Sequence, residues 1–321
     1  MTDESLRFRA DLDRIAHDID APFLVAVSGG PDSMAMLTLA AEAFPGRVTA
    51  ATVDHRLRAE AADEAAIVAA HCASIGVPHA TLTPSTLIAG ASIQAQARAS
   101  RYALLADHTR AVAAGAVLTA HHVDDQAETF LMRAVRGSGL AGLAGIRART
   151  EIAGITILRP LLDWRRAELR AIVRRAEVPF VDDPSNQDDR HDRTRFRRLL
   201  GENEWLDPPH LARAAATLAE TDADVRAIVQ WLWGERAVVT SGEVRIAIEG
   251  LPRELLRRLA RRAIGSVRVD AQIAQPEWRD STNIERLLDA LIAGKRGTQA
   301  GVVVSPRGGA WRFRVAPARR N

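Results

Sequence analysis

The chain has 321 residues, 47% of them hydrophobic, enough for one large domain and one smaller one with buried cores, and no run approaches the roughly 20 apolar residues that span a bilayer. A single cysteine, Cys72, excludes an internal disulfide framework, a Cys-rich zinc site and an iron–sulfur cluster held by this chain alone. The net charge of +3 is unevenly divided, with 19 basic and 24 acidic residues in 1–189 against 24 and 16 in 190–321, so the second part either suits a polyanion such as RNA or reflects an Arg-rich composition in which Lys295 is the only lysine.

In chain order, the opening MTDESLRFRADLDRIAHDID is too charged for a signal peptide, and a soluble, cytoplasmic protein with no membrane partner is expected. Short apolar runs follow at FLVAV (23–27), VTAATV (48–53), HATLT (79–83), AVLTA (116–120) and ITILR (155–159), with amphipathic stretches near 34–44, 60–75, 93–114, 124–136 and 164–177. Strands alternating with helices of this length predict an α/β fold, a doubly wound parallel sheet of five strands that is Rossmann-like in class. Ligands of such sheets bind outside the carboxyl ends of the strands. After residue 200 the pattern turns helical at 207–237, 252–267 and 284–294, and 301–315 reads as a hairpin closed by Gly308 and Gly309. The expected organisation is a catalytic domain over 1–205 and a smaller, mostly helical one over 206–321; no internal repeat is present.

Two stretches fall at strand ends. Ser28, Gly29, Gly30, Pro31, Asp32 and Ser33 separate the first strand from a helix. Such a turn either presents a nest of backbone N–H groups to phosphate or is a tight turn that binds nothing. It lacks the Gly-Lys-Ser/Thr of a Walker loop and the third glycine of a dinucleotide loop. In HHVDDQAETFLMRAVRGSGLAGLAGI (121–146), Asp124, Asp125 and Glu128 open a helix, with Asp125 and Glu128 on one face. They either bind a hard cation or an amine, or serve as a cap and solvated acids. His121 and His122 have no cysteine near them in sequence and read as structural or nucleotide-edge groups rather than zinc ligands.

The full S-G-G-x-D-S turn resembles the PP-loop of the N-type ATP pyrophosphatases, which cleave ATP between the α and β phosphates to form an adenylate. Among these, HHVDDQAET followed by RGSGLAGLAGI is similar to the signature of the tRNA(Ile)-lysidine synthetase family, and VDHRLR (53–58), QARASRYALL (96–105), RPLLDWRRAEL (159–169) and DDPSNQDDRHDRTRFR (182–197) match in the same order. The chain departs from the family at Thr194 and Phe196, which replace an Asn and an aliphatic residue, and it is similar to the shorter form without an extra C-terminal domain.

This resemblance implies an ATP- and Mg²⁺-dependent ligase that joins L-lysine to the wobble cytidine of tRNA(Ile) with a CAU anticodon. It implies that Ser28, Gly29, Gly30, Pro31, Asp32 and Ser33, with Val53, His55 and His121, bind the nucleotide. Asp32, Asp124, Asp125, Glu128 and Arg98 would carry the chemistry, and Asp32 and Asp125 would hold Mg²⁺. Arg101, Arg133, Arg136, Arg193, Arg195 and Arg197 would bind substrate. The last three alternate, and on a strand or extended loop they would face a phosphate backbone together. The resemblance makes the second domain tRNA-binding, and a homodimer is left open. The rivals are a tRNA thiolase, which Cys72 alone does not equip, an amide ligase, whose motifs are missing, and a nucleotide-binding regulator without chemistry.

Overall fold

In the computed structural model, which describes residues 1–57, 60–86, 90, 92–182, 192–279 and 282–317, the charged opening segment is a helix, α1 (Asp3–Ile15). Thr2 caps it by accepting a hydrogen bond from the Ser5 N–H at 3.2 Å, and Phe8 and Leu12, one turn apart, are fully buried. The elements that follow are β1 (Phe23–Ala26), α2 (Pro31–Ala43), β2 (Val48–Val53), α3 (Ala61–Ser74), β3 (His79–Leu82), α4 (Ile93–Ala111), β4 (Ala116–Leu118), α5 (Val123–Val135), α6 (Leu140–Leu143), β5 (Arg149–Ile152), β6 (Ile155–Leu158), α7 (Arg166–Arg175), α8 (Asp192–Glu202) and α9 (Pro208–Arg236). Among the described residues no helix is long and apolar enough to cross a membrane.

These strands form one sheet in the order β3-β2-β1-β4-β6-β5, parallel except for the last pair. Because strand side chains alternate between faces, Phe23 and Val25 of β1 enter a core with α2, Phe8 and Trp164, while Leu24 enters a second core with Tyr102, Leu105 and Val117. Both faces are therefore covered, as the continuous apolar runs require. The expected five strands are all present, and the sheet has a sixth, β5, which corrects the count. β5 pairs antiparallel with β6 through Ala153 and Gly154, whose φ values of 53° and 72° give the two-residue turn that right-twisted hairpin strands favour. The strand order reverses at β1: the chain leaves it for β2 on one side and returns to β4 on the other. That is where a ligand crevice opens.

The chain divides into two compact units, Met1–Ala219 and Glu220–Asn321, so the division lies inside α9 rather than at the 205/206 boundary expected ahead of it. The second unit is not only helical. It adds β7 (Ala237–Thr240), β8 (Glu243–Ala247), α10 (Arg253–Asp270), α11 (Glu285–Ile292), β9 (Gly297–Gln299), β10 (Val302–Arg307) and β11 (Ala310–Val315). Its strands form an antiparallel sheet in the order β7-β8-β11-β10-β9, and β10 and β11 are joined by Gly308 and Gly309, both at positive φ. Val244, Ile246, Trp311 and Phe313 from this sheet share a core with Leu259, Ala263 and Ile264 of α10 and Leu288 of α11.

Candidate active site

The turn after β1 is built by its own residues. Gly29 has φ +84°, a conformation that costs an L-side chain about 1–2 kcal/mol, and an added Cβ would meet only ordinary contacts, Val68 Cγ2 at 3.6 Å being nearest. Gly30 is the N-cap of α2 and Pro31 its first residue, where a missing N–H is harmless. Ser33 ties the turn shut: its hydroxyl accepts from the Ser28 N–H at 3.1 Å and donates to the Gly30 carbonyl at 2.9 Å. The α2 N-terminus thus faces the crevice with positive potential. Asp32, one residue beyond Pro31, has a buried Oδ1 with no hydrogen-bond partner among the described residues.

The opposite wall begins where β4 ends. His122 caps α5: its Nδ1 accepts from the Asp125 N–H at 3.4 Å while Asp125 Oδ2 accepts from the His122 N–H at 3.0 Å, a reciprocal capping box. The imidazole is 1% exposed, and its Nε2 lies 3.3 Å from Asp32 Oδ2 and 3.5 Å from Asp125 Oδ2. Burial works against its charge, but the hydrogen bond to Asp32 and the charge of Asp125 outweigh it and raise its pKa. Burial opposes ionisation of Asp125 too, yet His122 and Arg193 hold its carboxyl below the usual range. His121 sits 3.2 Å from Thr119 Oγ1, and burial pushes its pKa down to about 4, so it is neutral.

One turn along α5, the Glu128 carboxylate is also 1% exposed and takes three guanidinium groups: Arg193 Nε at 2.6 Å, Arg166 Nη2 at 3.0 Å and Arg197 Nε at 3.0 Å. Arg193 also reaches Asp125 Oδ1 at 2.6 Å. Asp124 is used differently: its Oδ2 accepts from the Arg166 N–H at 2.8 Å and so satisfies the N-terminus of α7.

Between the walls lies a cleft of about 1140 Å³, at the upper end of what a small-molecule site needs, hence room for a nucleotide with a second group beside it. It is lined by Ser28, Gly30, Asp32, His55, His121 and Asp125, and across it by Arg98, Arg101, Arg193 and Arg197. Both His55 ring nitrogens are buried without a hydrogen-bond partner among the described residues, and Arg98 stacks 5.0 Å from the Tyr102 ring centroid.

A family model described as a PP-loop domain matches residues 5–204. The tRNA(Ile)-lysidine synthase of Novosphingobium aromaticivorans is 44% identical over 98% of this chain and 94% of its own length, and that of Zymomonas mobilis is 42% identical over 92% and 89%. The chain belongs to the tRNA(Ile)-lysidine synthase family. Its fold is also shared with the U34-tRNA thiolase NcsA from Methanococcus maripaludis, at a TM-score of 0.55 and 16% identity over 68% of this chain and 78% of that one. The thiolase carries a 4Fe–4S cluster; the one cysteine of this family member, Cys72, is buried with its pKa raised to about 11.

In this family member the structure gathers most of the sequence-predicted residues around the cleft, Val53, Pro31, Ser33 and Asp124 included. Glu128, buried among its arginines, and Gly29 lie outside the lining, and three arginines fall elsewhere. Arg133 donates to the Gly142 and Gly145 carbonyls at 2.7 and 3.0 Å and holds the glycine-bearing loop shut, and Arg136 pairs at the surface with Asp192 at 2.6 Å. Arg195 is exposed and outside the cleft lining. The extended geometry expected for 193–197 is corrected: these residues lie in α8, where Arg193 and Arg197 at i,i+4 share a face and Arg195 points away from it. The helical spacing of Phe196, Leu199 and Leu200 carried that signal. Residues 183–191 of the matched DDPSNQDDRHDR stretch and Arg58 of VDHRLR are outside the described residues. Sequence reasoning missed Arg165, Arg166 and Arg170, which line the cleft from the WRRAELR segment, and the inward aim of His122.

Proposed function

We propose that the protein ligates lysine to C2 of the wobble cytidine in a CAU-anticodon tRNA(Ile), through an adenylated cytidine and with release of AMP and pyrophosphate. The observation that supports this most is the facing of two walls across one cleft: a phosphate-type turn at the α2 N-terminus and the acids Asp124 and Asp125 at the start of α5. Relatives carrying the name tRNA(Ile)-lysidine synthase over nearly the full chain support the same reading.

In the first step the cytidine O2 forms a bond to the α phosphorus of ATP as the bond to pyrophosphate breaks. The turn's N–H groups and the α2 dipole stabilise charge on the departing phosphates, with Arg98 and Arg101 as donors from the facing helix. In the second, the lysine ε-amine bonds to C2, the former O2 leaves as part of AMP, and the amine proton passes to a carboxylate; Asp125 is held ionised and lines the cleft, and Glu128 stands behind it. His55, whose ring nitrogens have no partner among the described residues, and the neutral His121, held by Thr119, border the nucleotide base. Mg²⁺ fits this site as an ion arriving with the triphosphate, because among the described residues no cluster of three or more His, Cys, Asp and Glu forms a cage, while Asp32 Oδ1 is a buried hard donor with no partner. Bound there, the ion would offset phosphate charge. The basic surplus of the C-terminal unit, 18 basic against 12 acidic residues in 220–321, supports a tRNA-backbone role for it.

The test is transfer of carbon-14 lysine to CAU-anticodon tRNA(Ile) by purified protein with ATP and Mg²⁺, against elongator tRNA(Met) as control. Label in tRNA(Ile) alone is expected; ATP binding without label would favour a regulator.

A further inference from the structure

His122 belongs to neither group assigned above: it is closed off from solvent, while the cleft is lined by its neighbours His121, Asp124 and Asp125. Its ring nevertheless joins the two walls. Nδ1 faces the Asp125 N–H at 3.4 Å, with Asp124 Oδ2 at 3.6 Å, so whether the ring is neutral or charged a proton sits on Nε2. That proton faces Asp32 Oδ2 at 3.3 Å, with Asp125 Oδ2 at 3.5 Å. The backbone on both sides of the ring is fixed: His122 N–H is held by Asp125 and Val123 N–H donates to the Trp164 carbonyl at 2.9 Å. Asp32 lines the cleft with a side chain 29% exposed while its Oδ1 is buried and unpartnered, so the contact to Oδ2 is what holds the carboxylate from the opposite wall.

We propose that His122 is a positioning residue for nucleotide binding: by engaging Asp32 Oδ2 from the opposite wall, it fixes the carboxylate beside the phosphate turn, where the metal-bound triphosphate would meet it, and it sets the distance between the phosphate turn and the acid helix. This rests on the ATP reading of the cleft. It assigns His122 a role apart from its capping of α5, and the two roles use different ring nitrogens. An Asn side chain reaches where Nδ1 does, and Asn is a good N-cap; a Gln amide reaches where Nε2 does.

The experiment measures equilibrium binding of α,β-methylene-ATP with Mg²⁺ by calorimetry, alongside thermal melting and the KM for ATP, in wild type, His122→Asn, His122→Gln, Asp32→Asn and His122→Asn/Asp32→Asn. His122→Asn is expected to melt near wild type and to bind at least tenfold more weakly, the effect of losing one hydrogen bond to a charged group, with KM for ATP rising more than kcat falls. His122→Gln is expected to melt lower and to keep most of the affinity. Asp32→Asn is expected to weaken binding, with no further loss in the double variant. Wild-type affinity in His122→Asn, tenfold loss in a folded His122→Gln, or additive losses in the double variant would overturn the proposal while leaving the ATP reading intact. A wild type that does not bind the analogue would overturn both.

Discussion

Replacing Glu128 by Gln removes one charge and almost no volume from the most densely paired point of the site. The carboxylate is 1% exposed, and its two oxygens take Arg193 at 2.6 Å and Arg166 and Arg197 at 3.0 Å. At an effective dielectric of about 20, one such pair at ~4 Å is worth roughly 4 kcal/mol, but the three cations repel one another and their side chains are 45%, 21% and 32% exposed, so water recovers part of the loss. A Gln side chain keeps one acceptor and turns its NH₂ toward a guanidinium donor. Removing one partner of a buried pair costs about 3–5 kcal/mol; discounting for solvent access and for the contact Arg193 keeps with Asp125, about 2–4 kcal/mol is expected. Urea denaturation at neutral pH reads this directly. The surface pair Arg136–Asp192, at 2.6 Å but with side chains 61% and 54% exposed, is the control, and Arg136→Met should change stability by under about 0.5 kcal/mol. Equal effects of the two substitutions, both below about 1 kcal/mol, would refute the view that burial makes Glu128 the keystone of the arginine cluster.

Gly29→Ala should destabilise by about 1 kcal/mol, since strain at φ +84° of roughly 1–2 kcal/mol outweighs the smaller entropic gain of losing a glycine; Gly30→Ala, whose Cβ would meet only Ser28 Oγ at 3.7 Å, should be near neutral in the same denaturation assay, and the reverse ranking would contradict the turn geometry. His121, its pKa pushed down to about 4 by burial, titrates near 6.5 when unfolded, so between those values only the unfolded chain binds the proton. Stability should therefore fall as pH drops from about 6.5 to about 4, by at most roughly 3 kcal/mol, and the wild type should lose more than His121→Asn over that window. Cys72 is fully buried with its pKa raised to about 11, so iodoacetamide at pH 8 should leave the native protein unlabelled and label it fully in denaturant; rapid native labelling would show that the α3 packing is wrong.

The strands of the main sheet were legible because each is a short apolar run buried on both faces, and the turn at 28–33 and the acids at 124–128 because they are local patterns that follow such runs. β5 escaped notice although Ala153 and Gly154 mark its turn, since an edge strand such as RTEI has no apolar run to betray it. Alternating arginines at 193, 195 and 197 suggested an extended chain, whereas Phe196, Leu199 and Leu200 carry the helical period the structure follows.

By itself, then, the order of residues determined which segments are strands and helices and what chemistry stands at the strand ends, because hydrophobic periodicity and turn conformation act over a few neighbours. Only the tertiary structure decided that Arg193 and Arg197 neutralise a glutamate 65 and 69 residues earlier, that Asp124 satisfies the start of α7, and that His122 turns inward to Asp32 rather than outward with His121. Those choices depend on which charges lose their water together when the layers close, and no local pattern records that.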